Sequence, residues 1–170
     1  MSAKECITAF NELRSGPEAT RPKFIIYKIS DDKKRIVLEE TSTEKDWDFF
    51  RMKLYEAADK DGEPAPRYAI YDMEYDVGSE GKQKTTVLIE WSPARAPLKV
   101  ICLSNPCAHW CGCKVLTVLQ MIFLYLKNRQ QLTIPLDLKI SIDADNVIDL
   151  EWAVVVEQVR EIVSEQGMGK

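Results

Sequence analysis

The stretch YAIYDMEY, Tyr68 to Tyr75, decides the fold. It begins as a continuous apolar run and then alternates, with Tyr71, Met73 and Tyr75 on one side and Asp72 and Glu74 on the other. A period of two belongs to an extended strand. Thr85 to Trp91, TTVLIEW, reads as a matching strand, and the loop between them, Asp76 to Lys84, holds two glycines and two lysines.

Toward the N-terminus, Lys23 to Ile29 (KFIIYKI) and Arg35 to Glu39 (RIVLE) are β-branched and aromatic runs joined by the polar Asp31-Asp32-Lys33-Lys34. They read as a hairpin, and the near-continuous apolarity of its first strand predicts cover on both faces. Thr43 followed by Asp46 resembles a capping box, after which Trp47, Phe50 and Leu54 mark one helical face as far as Asp61-Gly62-Glu63-Pro64. Cys6, Ile7, Phe10 and Leu13 recur at helical spacing in a short first helix that Gly16-Pro17 stops. Toward the C-terminus, Leu136, Leu138, Ile140 and Ile142 alternate with Asp137, Lys139, Ser141 and Asp143, the pattern of a strand with one solvated face. Ile148, Trp152, Val155, Val159 and Ile162 then predict a final amphipathic helix. Strands and helices interleaved in this order predict an α/β domain, a central mixed sheet with helices on both faces. No internal repeat or low-complexity linker divides residues 1–170, so a single domain is expected.

Composition narrows the function classes. A chain of 170 residues with 45% apolar content buries a real core without disulfides or metals. The formal net charge of −4 argues against a nucleic-acid binder that relies on a global positive field, so an anionic partner has to be met by a local patch. The opening MSAKECITAF lacks the apolar stretch of a secretory signal, and no segment reaches the ~18 apolar residues of a membrane span, so an intracellular protein is expected. Five cysteines in such a chain read as reduced thiols. The only histidine, His109, has no triad context, and there is no phosphate-binding glycine loop, dinucleotide fingerprint or HExxH. Neither a catalytic site nor a cofactor is expected.

The ordered segments IIYKISDD, DWDFF, RYAIYDMEY, a lysine-bearing loop and TTVLIEWSP followed by AP-L-K resemble, in register over Met1 to Lys99, the ADF/cofilin family of fungal type. The resemblance resumes over Thr133 to Val163, where TIPLDLKISIDADN and LEWAVVVEQV take the places of the family's last strand and last helix. It implies an actin-depolymerising-factor homology fold, a mixed sheet between two pairs of helices, in a protein that binds actin monomers and filaments, the ADP form preferentially. It also implies filament severing and depolymerisation, a cytoplasmic, cytoskeletal location with the nucleus as a second one, phosphoinositide headgroups as further ligands, a monomeric state and no enzyme chemistry.

Site residues follow from the same resemblance. The N-terminal segment, Ser2, Ala3 and Lys4, corresponds to one that inserts against actin, and Ser2 to a serine whose phosphorylation switches binding off. A phosphate adds close to two negative charges, which repel an acidic surface. Lys82 and Lys84 match basic residues that bind filaments, and Glu157 matches an acidic filament-contact position. The basic positions of the family's last helix read here as Gln158 and Glu161, with Arg160 adjacent. Lys99 matches the basic residue before the main actin-binding helix, Met121 and Ile122 its apolar contact pair, and Lys127 its final lysine.

That helix is interrupted. Residues 100–119, VICLSNPCAHWCGCKVLTVL, have no counterpart in the family pattern, Gln120 replaces a lysine, and Leu124-Tyr125-Leu126 replaces a small Ala-Ser-Ser. Three readings of the insert stay open. Cys102, Cys107, His109, Cys111 and Cys113 supply soft metal ligands, although their spacing is not a common zinc pattern. Alternatively, the insert is apolar packing material, with Lys114 to Gln131 as a largely hydrophobic helix. Thirdly, it is translated intron, since a Val100 codon starts GT and a Gln120 codon can end AG. Accordingly, the functional expectations are an actin-severing protein, a variant whose actin binding the insert impairs, or a metal-binding adaptation.

Overall fold

The five strands β1 Phe24–Ile29, β2 Ile36–Ser42, β3 Arg67–Asp76, β4 Lys82–Trp91 and β5 Ile140–Ala144 form one sheet in the order β2-β1-β3-β4-β5. The structure is a computed structural model and describes residues 3–30, 35–60, 62, 64–77, 81–93 and 136–167. The pairings β1–β2, β1–β3 and β3–β4 are antiparallel, whereas β4–β5 is parallel, so the sheet is mixed as the element order predicts. Three α-helices are described: α1 Ala3–Ser15, α2 Trp47–Tyr55 and α3 Trp152–Gly167.

Strand alternation sorts the core into two layers. Phe24, Ile26, Ala69, Tyr71, Met73, Val87 and Ile89 face α2 and α3, whose Phe50, Leu54, Val155 and Val159 complete that layer. Ile25, Tyr27, Tyr68, Ile70 and Leu88 face Cys6, Ala9, Phe10 and Leu13 of α1. Phe24, Ile25, Ile26 and Tyr27 are all buried, so β1 is covered on both faces as its continuous apolarity predicts. Gly16 ends α1 by donating its N–H to the Glu12 carbonyl at 2.8 Å. An added Cβ at Gly16 would lie 2.4 Å from that same oxygen, which explains the glycine.

Four expectations change. The cap of α2 is Asp46, whose carboxylate accepts from the Asp48 N–H, and not Thr43: the preceding turn is instead shaped by Glu44, which accepts from the N–H groups of Lys45 and Asp46. A carboxylate beside the first helical residues satisfies an orphan N–H and meets the positive end of the helix dipole. The β3–β4 loop is shorter than Asp76 to Lys84, because pairing continues to Asp76 and Lys82. The alternation over 136–143 is not one strand: Asp137 has φ 49°, β5 starts only at Ile140, and Leu136 joins the α1 layer while Ile140 and Ile142 join the other. A left-handed residue breaks the extended run, so the period of two there spans a turn and a strand. Ile148 is not on the last helix but in the 3₁₀ turn Val147–Leu150, where it is 70% exposed. Asn146 caps that turn, and Asp149 returns a carboxylate to the Asn146 N–H in a capping box, while the extended backbone of Glu151, at ψ 134°, separates the turn from α3.

A bulge in β2 ties the sheet to the loop after α2. Ile26 pairs with Glu40 and Tyr27 with Leu38, so Glu39 is the extra residue. Its carboxylate takes the buried Arg67 guanidinium in a fork, Nε on Oε2 and Nη2 on Oε1, and also pairs with Lys28 at 3.3 Å. Arg67 donates further to the carbonyls of Ala58 at 2.8 Å and Pro66 at 3.0 Å, so a charge buried at the head of β3 is satisfied on every side.

Candidate functional site

The β3–β4 strands run together to Asp76 and Lys82, and Gly81, at φ 79°, closes the turn with its carbonyl accepting from the Val77 N–H at 2.9 Å. A positive φ at this point suits glycine, which has no Cβ to clash. Lys82 and Lys84 both leave the same side of β4, two residues apart, as the pleat requires. Their ammonium groups sit 3.5 and 3.4 Å from the two oxygens of Glu74.

Helix α3 reaches the same end of the sheet. The Arg160 guanidinium donates to the Asp76 carbonyl and lies 6.0 Å from the centre of the Tyr75 ring. A cation over a ring face at that distance is attracted by the ring quadrupole. Glu157, three positions earlier, is exposed on the same helix, and Val155, Val156 and Val159 turn into the core beneath it. The structure therefore seats Arg160 on the hairpin that carries Lys82 and Lys84, 78 positions from Lys82 along the chain, with Glu157 three positions before it on the same helix. Arg160, although exposed, is seated on the hairpin backbone, which the sequence pattern does not reveal.

Ala3 and Lys4 open helix α1. Ser2, Lys99, Met121, Ile122 and Lys127 lie outside the described residues, as do the insert 100–119, its Cys102–Cys113 cluster with His109, and the expected helix Lys114 to Gln131. Of the five cysteines, Cys6 is described: it is buried in the α1 layer, burial pushes its thiol pKa up, and its thiol donates to the Ile36 carbonyl at 3.8 Å. Among the described residues no group of three His, Cys, Asp or Glu side chains could hold a metal ion. A groove of about 340 Å³ between α1, β4 and α3 is lined by residues that include Phe10, Arg14, Thr85, Thr86, Lys139 and Val163, with no cysteine or histidine among the described residues of its wall. No described helix is long and apolar enough to cross a membrane.

Glu74 and Tyr75 are the participants that sequence reasoning missed. Pairing the strands inward from the glycine turn was the available signal, because it sets Glu74 opposite Lys84.

Comparison with known proteins gives the site its context. The family model described as cofilin/tropomyosin-type actin-binding protein matches residues 1–105. A cofilin of Gibberella zeae is 41% identical over 102 residues, covering 57% of this chain and 65% of the relative. A cofilin of Saccharomyces cerevisiae is 42% identical over 98 residues, covering 57% of this chain and 62% of the relative. The chain thus spans somewhat less than two thirds of the length of these curated relatives. The crystal structure of a Streptomyces griseoflavus cofilin superimposes with a TM-score of 0.66 at 18% identity, over 92% of this chain and 94% of that one. The family-model match ends at residue 105, while the superposition on the cofilin structure covers 92% of the chain.

Proposed function

The chain belongs to the cofilin/tropomyosin-type actin-binding protein family, and on that footing we propose that it binds actin monomers and filaments and promotes filament severing and depolymerisation. The observation that carries the reading is the family match over residues 1–105 on a domain whose fold is that of the cofilin structures.

Within this reading, Lys82, Lys84, Glu157 and Arg160 form the filament side. Lys82 and Lys84 are exposed ammonium groups that meet acidic groups of a second actin subunit, while Arg160 holds α3 against the hairpin that carries them. Ser2, Ala3, Lys4, Lys99, Met121, Ile122 and Lys127 form the side toward the first subunit, with Ser2 as a phosphorylation site. The protein acts as a monomer, without catalytic chemistry, in the cytoplasm on the actin cytoskeleton and also in the nucleus, and its basic residues meet phosphoinositide headgroups.

Pelleting of preformed actin filaments tests the reading, with the full chain in parallel with a version lacking Val100 to Leu119, scoring bound protein and released actin. Binding and release by both establish the function and make the insert a tolerated loop. Activity of the shortened form alone shows that the insert disables the main actin-binding helix, and inactivity of both overturns the reading. Binding should weaken as salt rises, because exposed charges are screened beyond ~10 Å at 0.1 M ionic strength.

A further inference from the structure

Glu74 occupies both hairpin lysines. Its Oε1 lies 3.5 Å from Lys82 Nζ and its Oε2 3.4 Å from Lys84 Nζ. The geometry follows from register: Glu74 is directly opposite Lys84, and Lys82 is the diagonal neighbour on the same face. Asp72, two positions back along β3, is paired with a different cation, Lys23, at 3.9 Å. The lysine side chains remain 73% and 67% exposed, and Glu74 is 36% exposed, so an incoming group can reach the ammoniums while the carboxylate stays beneath them. The Lys84 hydrogen bond and the charges of both lysines hold the Glu74 carboxyl below the usual carboxylate range, so it is ionised at neutral pH.

We propose that Glu74 is an internal competitor for the filament: its carboxylate stands in for the partner's acidic groups on Lys82 and Lys84 and sets how tightly those lysines hold an acidic protein surface. The inference rests on the reading of Lys82 and Lys84 as filament-contact residues. An acidic group docking there must displace or share the Glu74 carboxylate, and it also meets a like charge a few ångströms behind the ammoniums. Within this cluster two lysines against one carboxylate leave one net positive charge, and removing the carboxylate leaves two.

The test uses the full chain as wild type, Glu74→Gln, Glu165→Gln, the pair Lys82→Gln with Lys84→Gln, and that pair combined with Glu74→Gln. Glu165 lies exposed near the end of α3 and loses the same charge, so it controls for net charge alone. Filament affinity is measured by pelleting over a series of salt concentrations, with thermal melts to show that each variant folds. Glu74→Gln is expected to bind filaments about threefold more tightly than Glu165→Gln, the scale set by exposed ion pairs. Its salt dependence is expected to be steeper. Without the two lysines, Glu74→Gln should change nothing, which is the coupling a double-mutant cycle detects.

Equal or weaker binding by Glu74→Gln relative to Glu165→Gln, or a gain that persists without the lysines, overturns the proposal. If the wild type binds no filaments, the filament reading is what fails, and elution from immobilised heparin then decides on the competitor. Later elution of Glu74→Gln than Glu165→Gln, abolished in the lysine-free background, upholds the competition for anions, and equal elution refutes it.

Discussion

The two faces of the sheet are built differently. The face toward α2 and α3 is an aromatic interlock: Phe50 stands 5.0 Å from Phe24 and 4.9 Å from Tyr71, and Trp47 stands 4.9 Å from Tyr71 and 5.1 Å from Trp152. The Trp47 indole donates to the Leu150 carbonyl at 2.8 Å, and Arg51 pairs with Glu151 one residue further on. The face toward α1 is mainly aliphatic, and there the Tyr27 hydroxyl donates to the Cys6 carbonyl at 3.0 Å. The difference teaches where the two ends of the chain are joined. Residues 147–167 fall beyond the stretch that matches the family in sequence, yet the ring cluster and its two polar ties fasten them to α2, well inside it.

Truncating the interlock should be the most damaging way to test that contrast. Phe50→Ala removes a fully buried ring that touches Phe24, Trp47 and Tyr71, and is expected to cost about 4 kcal/mol in urea denaturation. Leu13→Ala, equally deep in the α1 layer, should cost about 3 kcal/mol. If Phe50→Ala costs less than Leu13→Ala, the aromatic face is not the stronger joint. The two variants also differ in reach: loss of Phe50 should release the near-ultraviolet dichroism of Trp152 with that of Trp47, whereas loss of Leu13 should leave both in place while the protein is folded.

Arg67→Ala tests a joint that belongs to neither layer. It strips the buried partner from Glu39 and leaves the Ala58 carbonyl without its donor, and is expected to cost about 3 kcal/mol by thermal or urea melts. A cost under 1 kcal/mol would mean that the bulge at Glu39 holds without the ion pair.

Alkaline titration should produce the smallest effect near neutrality and bears on both faces at once. Burial raises the Tyr71 hydroxyl to about 12 and also raises that of Tyr27 on the opposite face. With the unfolded pKa near ~10, the unfolded chain gives up these protons first, so their contribution is fully present below ~10 and is lost as pH rises through the folded values. Phenolate absorbance from Tyr27 and Tyr71 should therefore appear together with unfolding, a result that Tyr27→Phe and Tyr71→Phe can resolve. Ionisation of either hydroxyl near pH 10 in the folded protein would show that its face is open to water.

Much of this was legible in the residues, for reasons that differ by element. The β3–β4 pair was readable because its alternation and its glycine turn act locally, and β1 because an apolar run of that length demands cover on both sides. The last strand was misread because Leu136 and Leu138 keep the period of two through a turn, and periodicity carries no mark of where a left-handed residue intervenes. Ile148 was misread for the related reason that three-residue and four-residue spacings overlap at the start of a helix. The resemblance names Lys82, Lys84, Glu157 and Arg160 as candidates, but the contacts that Lys82, Lys84 and Arg160 make within the fold were not legible.

By itself the sequence determined most element types, the mixed α/β class and the family kinship, because strand alternation, helical spacing and shared motifs are properties of neighbouring residues. Only the tertiary structure decided that Glu39 bulges out to take Arg67, that Trp47 binds the Leu150 carbonyl, that Arg160 sits on the hairpin and that Glu74 holds both lysines. Each of those contacts joins different elements, and its partner is set by register and packing; apart from the hairpin register, which the glycine turn signals, no local pattern encodes them.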